Sequence, residues 1–232
     1  MSVFNNEHPI NIFENRLPYM HHQLLVKAMY AMMPVITLDE FQEKSCIASQ
    51  RVSKQTLQYM LANGIGHESR NIYTFSDSDR IKLAILGIKN GVDIESISKI
   101  LNWRDFEAFA SEILGLSGYD TERNVRFNKP RRVEIDVVAT NKSAKRAVLI
   151  DCKHWHRNDL KSISKYAVKQ IQRASILMSN RKEVTSSIPL ILTLYPVIPK
   201  IVEEIPIVSI RDFGSFLDVM PLYLDKIKIV SK

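Results

Sequence analysis

"VEIDVVATNKSAKRAVLIDCKHW", residues 133–155, holds two apolar runs, 133–140 and 146–153, on either side of a basic turn. Both runs are rich in β-branched residues and read as strands. Side chains in a strand alternate faces, so Val133, Ile135, Val137 and Ala139 are expected on the core face, with Glu134 and Asp136 opposite. In the second run Val148 and Ile150 point one way, and Leu149, Asp151 and Lys153 the other. Antiparallel pairing through the turn can bring Asp136 and Asp151 together on one face. Two adjacent carboxylates repel, which raises the pKa of one of them. A divalent cation removes that cost, and hard carboxylate oxygens suit Mg²⁺, with Mn²⁺ as a substitute.

A job for this constellation follows. A cation held by Asp136, Asp151 and the main-chain carbonyl of Cys152 polarises a phosphate oxygen and acidifies water. Lys153 stands beside it, to position that water or to offset charge building on phosphorus oxygens. The reaction class is phosphodiester hydrolysis. The plainer reading is two strand-end aspartates facing solvent with an ordinary surface lysine, and spacing alone leaves both open. Convergence of the two aspartates decides between them: side chains splayed to opposite sides of the sheet would end the enzyme reading.

Working outward, 104–119 is an amphipathic helix, with Phe106, Phe109, Ala110, Ile113 and Ser117 near one face and Gly118 closing it. "TERNVRF" adds a strand before the pair, and 159–179 is a long helix after it. Two further strands, 189–195 and 205–210, precede a last helix that ends or breaks near Pro221. The order helix, three strands, helix, strand, strand, helix implies a mixed β-sheet flanked by helices, an α/β class.

Rival site chemistries are weaker. Cys152, His154 and His156 share a spacing of two, but three ligands on one strand rarely enclose a tetrahedral Zn²⁺ without a distant fourth. Cys152 as a nucleophile would point to the core side, where thiols are inert. Trp155 is expected to pack rather than to stack on bases, and His21 and His22 to be surface or interface residues.

"EIDVVAT … AVLIDCKHW", preceded by "DFEAFASEILGLSGYD", resembles the PD-(D/E)xK nuclease superfamily, in its Mrr-like and archaeal resolvase-like branches. The likeness covers residues 104–212 and implies a restriction-endonuclease-like fold and a metal-dependent DNA endonuclease. By it, Asp136 is the first metal carboxylate, Asp151 the acid of the D/E-x-K motif and Lys153 its lysine. Glu107 matches the helical glutamate, as a secondary metal ligand or as the group orienting water, and Gln170 the polar residue of the following helix that faces the site. No proline directly precedes Asp136, and Pro130, Arg131 and Arg132 stand where a glycine is usual, which leaves the approach of DNA at that turn open.

Charge divides unevenly. Residues 1–103 hold ten Lys and Arg against ten Asp and Glu, whereas 104–232 hold 22 against 15, the whole of the +7. A basic surface around paired carboxylates suits a polyanion. Arg131 and Arg132 precede the first site strand; Lys142, Lys145 and Arg146 lie in the hairpin turn; Arg157, Lys161, Lys165, Lys169 and Arg173 follow the motif, the last four at spacings of four along one helix. A solvated helix face produces the same pattern.

The N-terminal half is read as an irregular arm over 1–16 and a domain over 17–103, followed by a catalytic domain over 104–232. Its helices fall at 17–33 (stopped by Pro34), at 37–46 (opened by the capping box of Thr37 and Glu40) and at 52–65 (opened by a Ser53 cap and closed at Asn63 and Gly64). A hairpin at 67–76 and helices at 77–91 and 93–103 complete it. The stretch 46–76 resembles a winged helix-turn-helix, which implies that Lys54, Gln55, Gln58 and Arg70 are exposed and able to touch DNA. The zero net charge of residues 1–103 argues equally for a dimerisation module, and a homodimer is expected. With no run of 18 apolar residues and no basic start followed by an apolar core, the protein is expected to be cytoplasmic, with Cys46 and Cys152 reduced. A binding or regulatory protein on the same fold, without catalysis, is the competing reading.

Overall fold

The computed structural model describes residues 20–153 and 160–232. The expected arm, and the expectations at His154, Trp155, His156 and Arg157, fall outside the described residues. Contacts divide the chain into two units, residues 1–79 and 80–232.

In the first unit the order is α1 (His22–Ala31), β1 (Val35–Thr37), α2 (Leu38–Ser45), α3 (Gln50–Ala62), β2 (His67–Ser69) and β3 (Ile72–Thr74). The strands form an antiparallel sheet in the order β1-β3-β2. Leu25, Met29, Ile36, Phe41, Leu57, Met60 and Tyr73 make its buried core. The Thr37 capping box forms as expected: Thr37 Oγ1 accepts from the Glu40 amide, and the Glu40 carboxylate accepts from the Thr37 amide. The cap of α3 differs from expectation. Ser49 caps it, accepting from the Val52 amide, and Ser53 lies one turn inside the helix, fully buried. Gln50–Val52 complete a first turn that the weakly apolar sequence "QRV" does not advertise. Lys54, Gln55 and Gln58 lie on the exposed face of α3. Arg70 and Asn71 turn the hairpin, both with positive φ. At Gly66 (φ +79°) a Cβ would sit 2.4 Å from the Phe75 ring, so only glycine fits there.

The second unit opens within α4 (Asp77–Lys89) and continues with α5 (Ile94–Ile100) and α6 (Trp103–Leu116). The expected division at 103/104 thus lies inside this unit, because α5 packs against α8. Then come β4 (Asp120–Phe127), β5 (Val133–Asn141), β6 (Arg146–Lys153), α7 (Leu160–Asn180), β7 (Ser186–Thr193), β8 (Ile201–Val202), β9 (Ile205–Ser209), α8 (Ile210–Val219) and β10 (Val230–Ser231). A short 3₁₀ turn containing Pro221 follows α8. The sheet runs β4-β5-β6-β7-β9-β8, with β10 paired to β7. β4, β5 and β6 form an antiparallel meander; β6, β7 and β9 are parallel. This is the mixed sheet flanked by helices that the element order implied.

Burial departs from the one-sided pattern expected of β5 and β6. Ile135–Ala139 and Ala147–Cys152 are buried at every position, so both faces of the sheet are covered. α7 lays a stripe of Ile163, Ala167, Gln170, Ala174 and Leu177 on the sheet. Its N-terminal half packs on Ile191, Ile205 and Ile207, its C-terminal half on Val138, Ala147 and Leu149. On α6, Phe106, Phe109, Ala110 and Leu114 are buried, while Ser117, expected on that face, is exposed at the helix C-cap. β7 starts before Pro189 rather than at it. Pro189 is tolerated in mid-strand because β10 covers Ser186 and Ser187 while β9 pairs only from Ile191 onward, so the missing amide costs no ladder bond.

Candidate active site

The register of β5 and β6 settles the geometry. Val137 opposes Ile150 and Val138 opposes Leu149. Continuing that antiparallel register sets Asp136 opposite Asp151, and opposed residues project to the same face. It is the face of Val138 and Leu149, which α7 covers. The two aspartates converge.

At this end of the hairpin a side chain takes over the ladder. The Cys152 amide donates to Asp136 Oδ2 at 2.8 Å, which fixes the Asp136 carboxylate against β6. From α7, Arg173 Nη1 donates to Asp151 Oδ1 at 2.7 Å and to Gln170 Oε1 at 3.0 Å. Gln170, fully buried, donates through Nε2 to the carbonyls of Leu149 and Leu190, both at 3.1 Å. It therefore bridges β6 and β7 and presents a fixed oxygen to Arg173. Lys153 Nζ lies 2.9 Å from Asp151 Oδ2, an ion pair off the hydrogen-bond direction, and 5.1 Å from the centre of the Tyr166 ring. Asp151 is 1% exposed and Glu107, on α6, 2%. Glu107 Oε1 is buried without a hydrogen-bond partner.

The electrostatics follow. Burial pushes the Asp136 carboxyl up to about 6; the Asp151 charge adds to this, and the Cys152 amide, Lys153 and Arg173 oppose it. Burial pushes Glu107 up to about 8, reinforced by Asp136 and Glu134. Ionised, the three acids outnumber the two cations, and the anionic excess sits at Asp136 and Glu107. Asp136 and Asp151 could offer carboxylate oxygens to a hard divalent cation, which would offset that excess. Among the described residues, no three His, Cys, Asp or Glu side chains are gathered as a metal cage. Cys152 is buried, and burial raises its thiol well above the ordinary range, so it is no nucleophile.

The expected basic residues are dispersed. Lys161, Lys165 and Lys169 are exposed on α7, with Lys169 Nζ 5.6 Å from the Tyr166 ring centre. Arg173 leaves their line. Steps of four residues advance about 40° each around a helix, so three steps carry Arg173 about 120° round, to the sheet side. The signal for this was the position of Gln170 inside the apolar stripe, which places Arg173 on its edge. Arg131 is exposed and bonded to Gln172, and Arg132 and Lys145 are exposed. Lys142 pairs with Asp120 at 2.9 Å, and Arg146 donates to Ser186 Oγ at 3.2 Å.

Residues 98–186 match the family model described as "Restriction endonuclease", the Mrr catalytic domain. No curated protein matches the chain. Among solved structures, the protein VC1899 from Vibrio cholerae is 12% identical with a TM-score of 0.36, over 92% of this chain and 58% of that one. Can2 from Sulfobacillus thermosulfidooxidans, solved with cyclic tetra-adenylate, is 15% identical with a TM-score of 0.32, over 86% of this chain and 50% of its own. The chain thus spans 58% of the length of the first and 50% of the second.

Proposed function

We propose, with a restriction-endonuclease domain of the Mrr type over residues 98–186 as the premise, that this protein is a metal-dependent endodeoxyribonuclease. The observation that carries the reading is the convergence of Asp136 and Asp151 on one buried face, with Lys153 2.9 Å from the second. Asp136, Asp151 and the Cys152 carbonyl would hold Mg²⁺, or Mn²⁺ in its place, and water would complete the shell. Bound there, the cation supplies Lewis acidity toward a phosphate oxygen and toward water. Lys153 offsets negative charge that develops on the phosphoryl oxygens. Glu107, beside Asp136 and with one free oxygen, orients water rather than joining a three-carboxylate cage. Gln170 acts indirectly, by holding the β6 and β7 main chains and the Arg173 side chain.

DNA is taken up by the basic second unit. Residues 80–232 carry 26 Lys and Arg against 17 Asp and Glu, whereas 1–79 carry six against eight. Arg131, Arg132, Lys145, Lys161, Lys165 and Lys169 supply exposed charge for duplex phosphates. The first unit is read as a winged helix-turn-helix-like module, on its three helices and its β1-β3-β2 sheet. Its net negative charge favours docking or homodimerisation over DNA contact through Lys54 and Gln58.

Replacement of Asp151 by Asn should abolish Mg²⁺-dependent nicking of plasmid or branched DNA and leave DNA binding in place, as read by gel electrophoresis and by fluorescence anisotropy. Full nicking by that variant would reject the mechanism. A non-catalytic DNA-binding role draws on one observation, the pairing of both Asp151 oxygens with cations. Absence of cleavage across plain, methylated, single-stranded and branched DNA, with Mg²⁺ and with Mn²⁺, would establish it.

A further inference from the structure

Two cations close on one carboxylate. Arg173 holds Asp151 Oδ1 at 2.7 Å and Lys153 stands 2.9 Å from Oδ2, while among the described residues no ion pair reaches Asp136 or Glu107. Positive charge is therefore concentrated on the acid least in need of a second cation. Asp151 is buried, but the Arg173 side chain is 23% exposed, so its guanidinium spans the interval between the carboxylate and solvent. The anchor on its other side is rigid, because the Gln170 amide is locked by two main-chain carbonyls. Lys153 is held differently, by its own strand and the face of Tyr166.

A divalent cation approaching Asp151 meets Arg173 as a competitor. Two cations at one carboxylate oxygen exclude each other unless one has somewhere better to go. A phosphodiester offers that place, since a planar guanidinium forms paired charge-assisted bonds with phosphate oxygens. We propose that Arg173 is a substrate-operated gate on the metal site: it occupies Asp151 Oδ1 in the free protein and transfers to a phosphate of bound DNA, releasing Asp151 to the cation. The gate rests on the nuclease reading above and adds regulation to it. DNA and metal then bind with positive cooperativity, each raising the affinity for the other by the same factor.

The test is Mn²⁺ binding by the full chain, read from the spectrum of free Mn²⁺ by electron paramagnetic resonance. It is made with and without a phosphorothioate duplex that resists hydrolysis, the binding by the duplex alone being measured separately. The wild type should bind Mn²⁺ weakly alone and at least about tenfold more tightly with duplex. Arg173→Met should bind on the order of tenfold to a hundredfold more tightly than wild type without DNA, the worth of one charge-assisted bond released, and gain little from duplex. Arg173→Lys, which keeps the charge, should stay weak. Equal wild-type affinity with and without duplex overturns the gate and needs no substitution to observe. So does an Arg173→Met protein, with Arg173→Gln as a second uncharged variant, that folds and binds no more tightly than wild type. An Asp151→Asn protein that binds Mn²⁺ with duplex as well as wild type does would remove the metal site itself, a failure separate from that of the gate.

Discussion

The carboxyls of Asp136 and Glu107 sit where burial resists their ionisation. Each has a pKa raised on folding, from 3.8 to about 6 and from 4.5 to about 8. A carboxyl raised in this way keeps its proton in the folded state over a range where the unfolded chain has lost it. Its contribution is fully present below the unfolded value and is lost as pH rises through the folded one. Without divalent cation the protein should therefore lose stability between pH 5 and pH 8, by an amount on the order of a few kcal/mol from the two groups together. Thermal melts in a chelator should show that fall. Asp136→Asn and Glu107→Gln should each raise the midpoint at pH 8 and change it little at pH 5. Mn²⁺ should stabilise the wild type more at pH 8 than at pH 5. A midpoint that climbs from pH 5 to pH 8 in the chelator would contradict the buried-acid account.

At the scale of the element, the two serines of α3 make opposite predictions. Ser49 caps the helix, so Ser49→Ala should cost about 1 kcal/mol. Ser53 is buried with an unpartnered hydroxyl, so Ser53→Ala should be neutral or stabilising in the same denaturant titration. The reverse ranking would restore the cap that the sequence pattern suggested. Ser49 and Ser53 are chemically alike and one turn apart, and only the burial of one face tells them apart. Elements with strong local signals were legible: the Thr37 box, the Asn63-Gly64 stop, and the order from α6 through α8. β1, β8 and β10 were not, because strands of two or three residues show no alternation and exist only through their partners. In α7 the lysines at spacings of four suggested a straight stripe, whereas helical drift takes Arg173 off it.

For the whole molecule, charge assigns the proposed DNA contact to the second unit. Lys161→Ala with Lys165→Ala should flatten the dependence of log affinity on log salt by about 2, since each phosphate contact contributes roughly 0.9. Lys54→Ala with Gln58→Ala should leave the slope nearly unchanged. A loss of slope in the second pair and none in the first would place DNA on the first unit instead. What the sequence alone determined is the chemistry available and its order along the chain: a mixed α/β sheet, two aspartates and a lysine on neighbouring strands, and a basic second half. These follow from alternation, capping and composition, which are local. The matching of β5 to β6 register, the burial of both sheet faces, the raised pKa values of Asp136 and Glu107, and the turn of Arg173 onto Asp151 were decided by tertiary structure alone. Each depends on distances between residues far apart in the chain, and on the exclusion of water that only packing brings about.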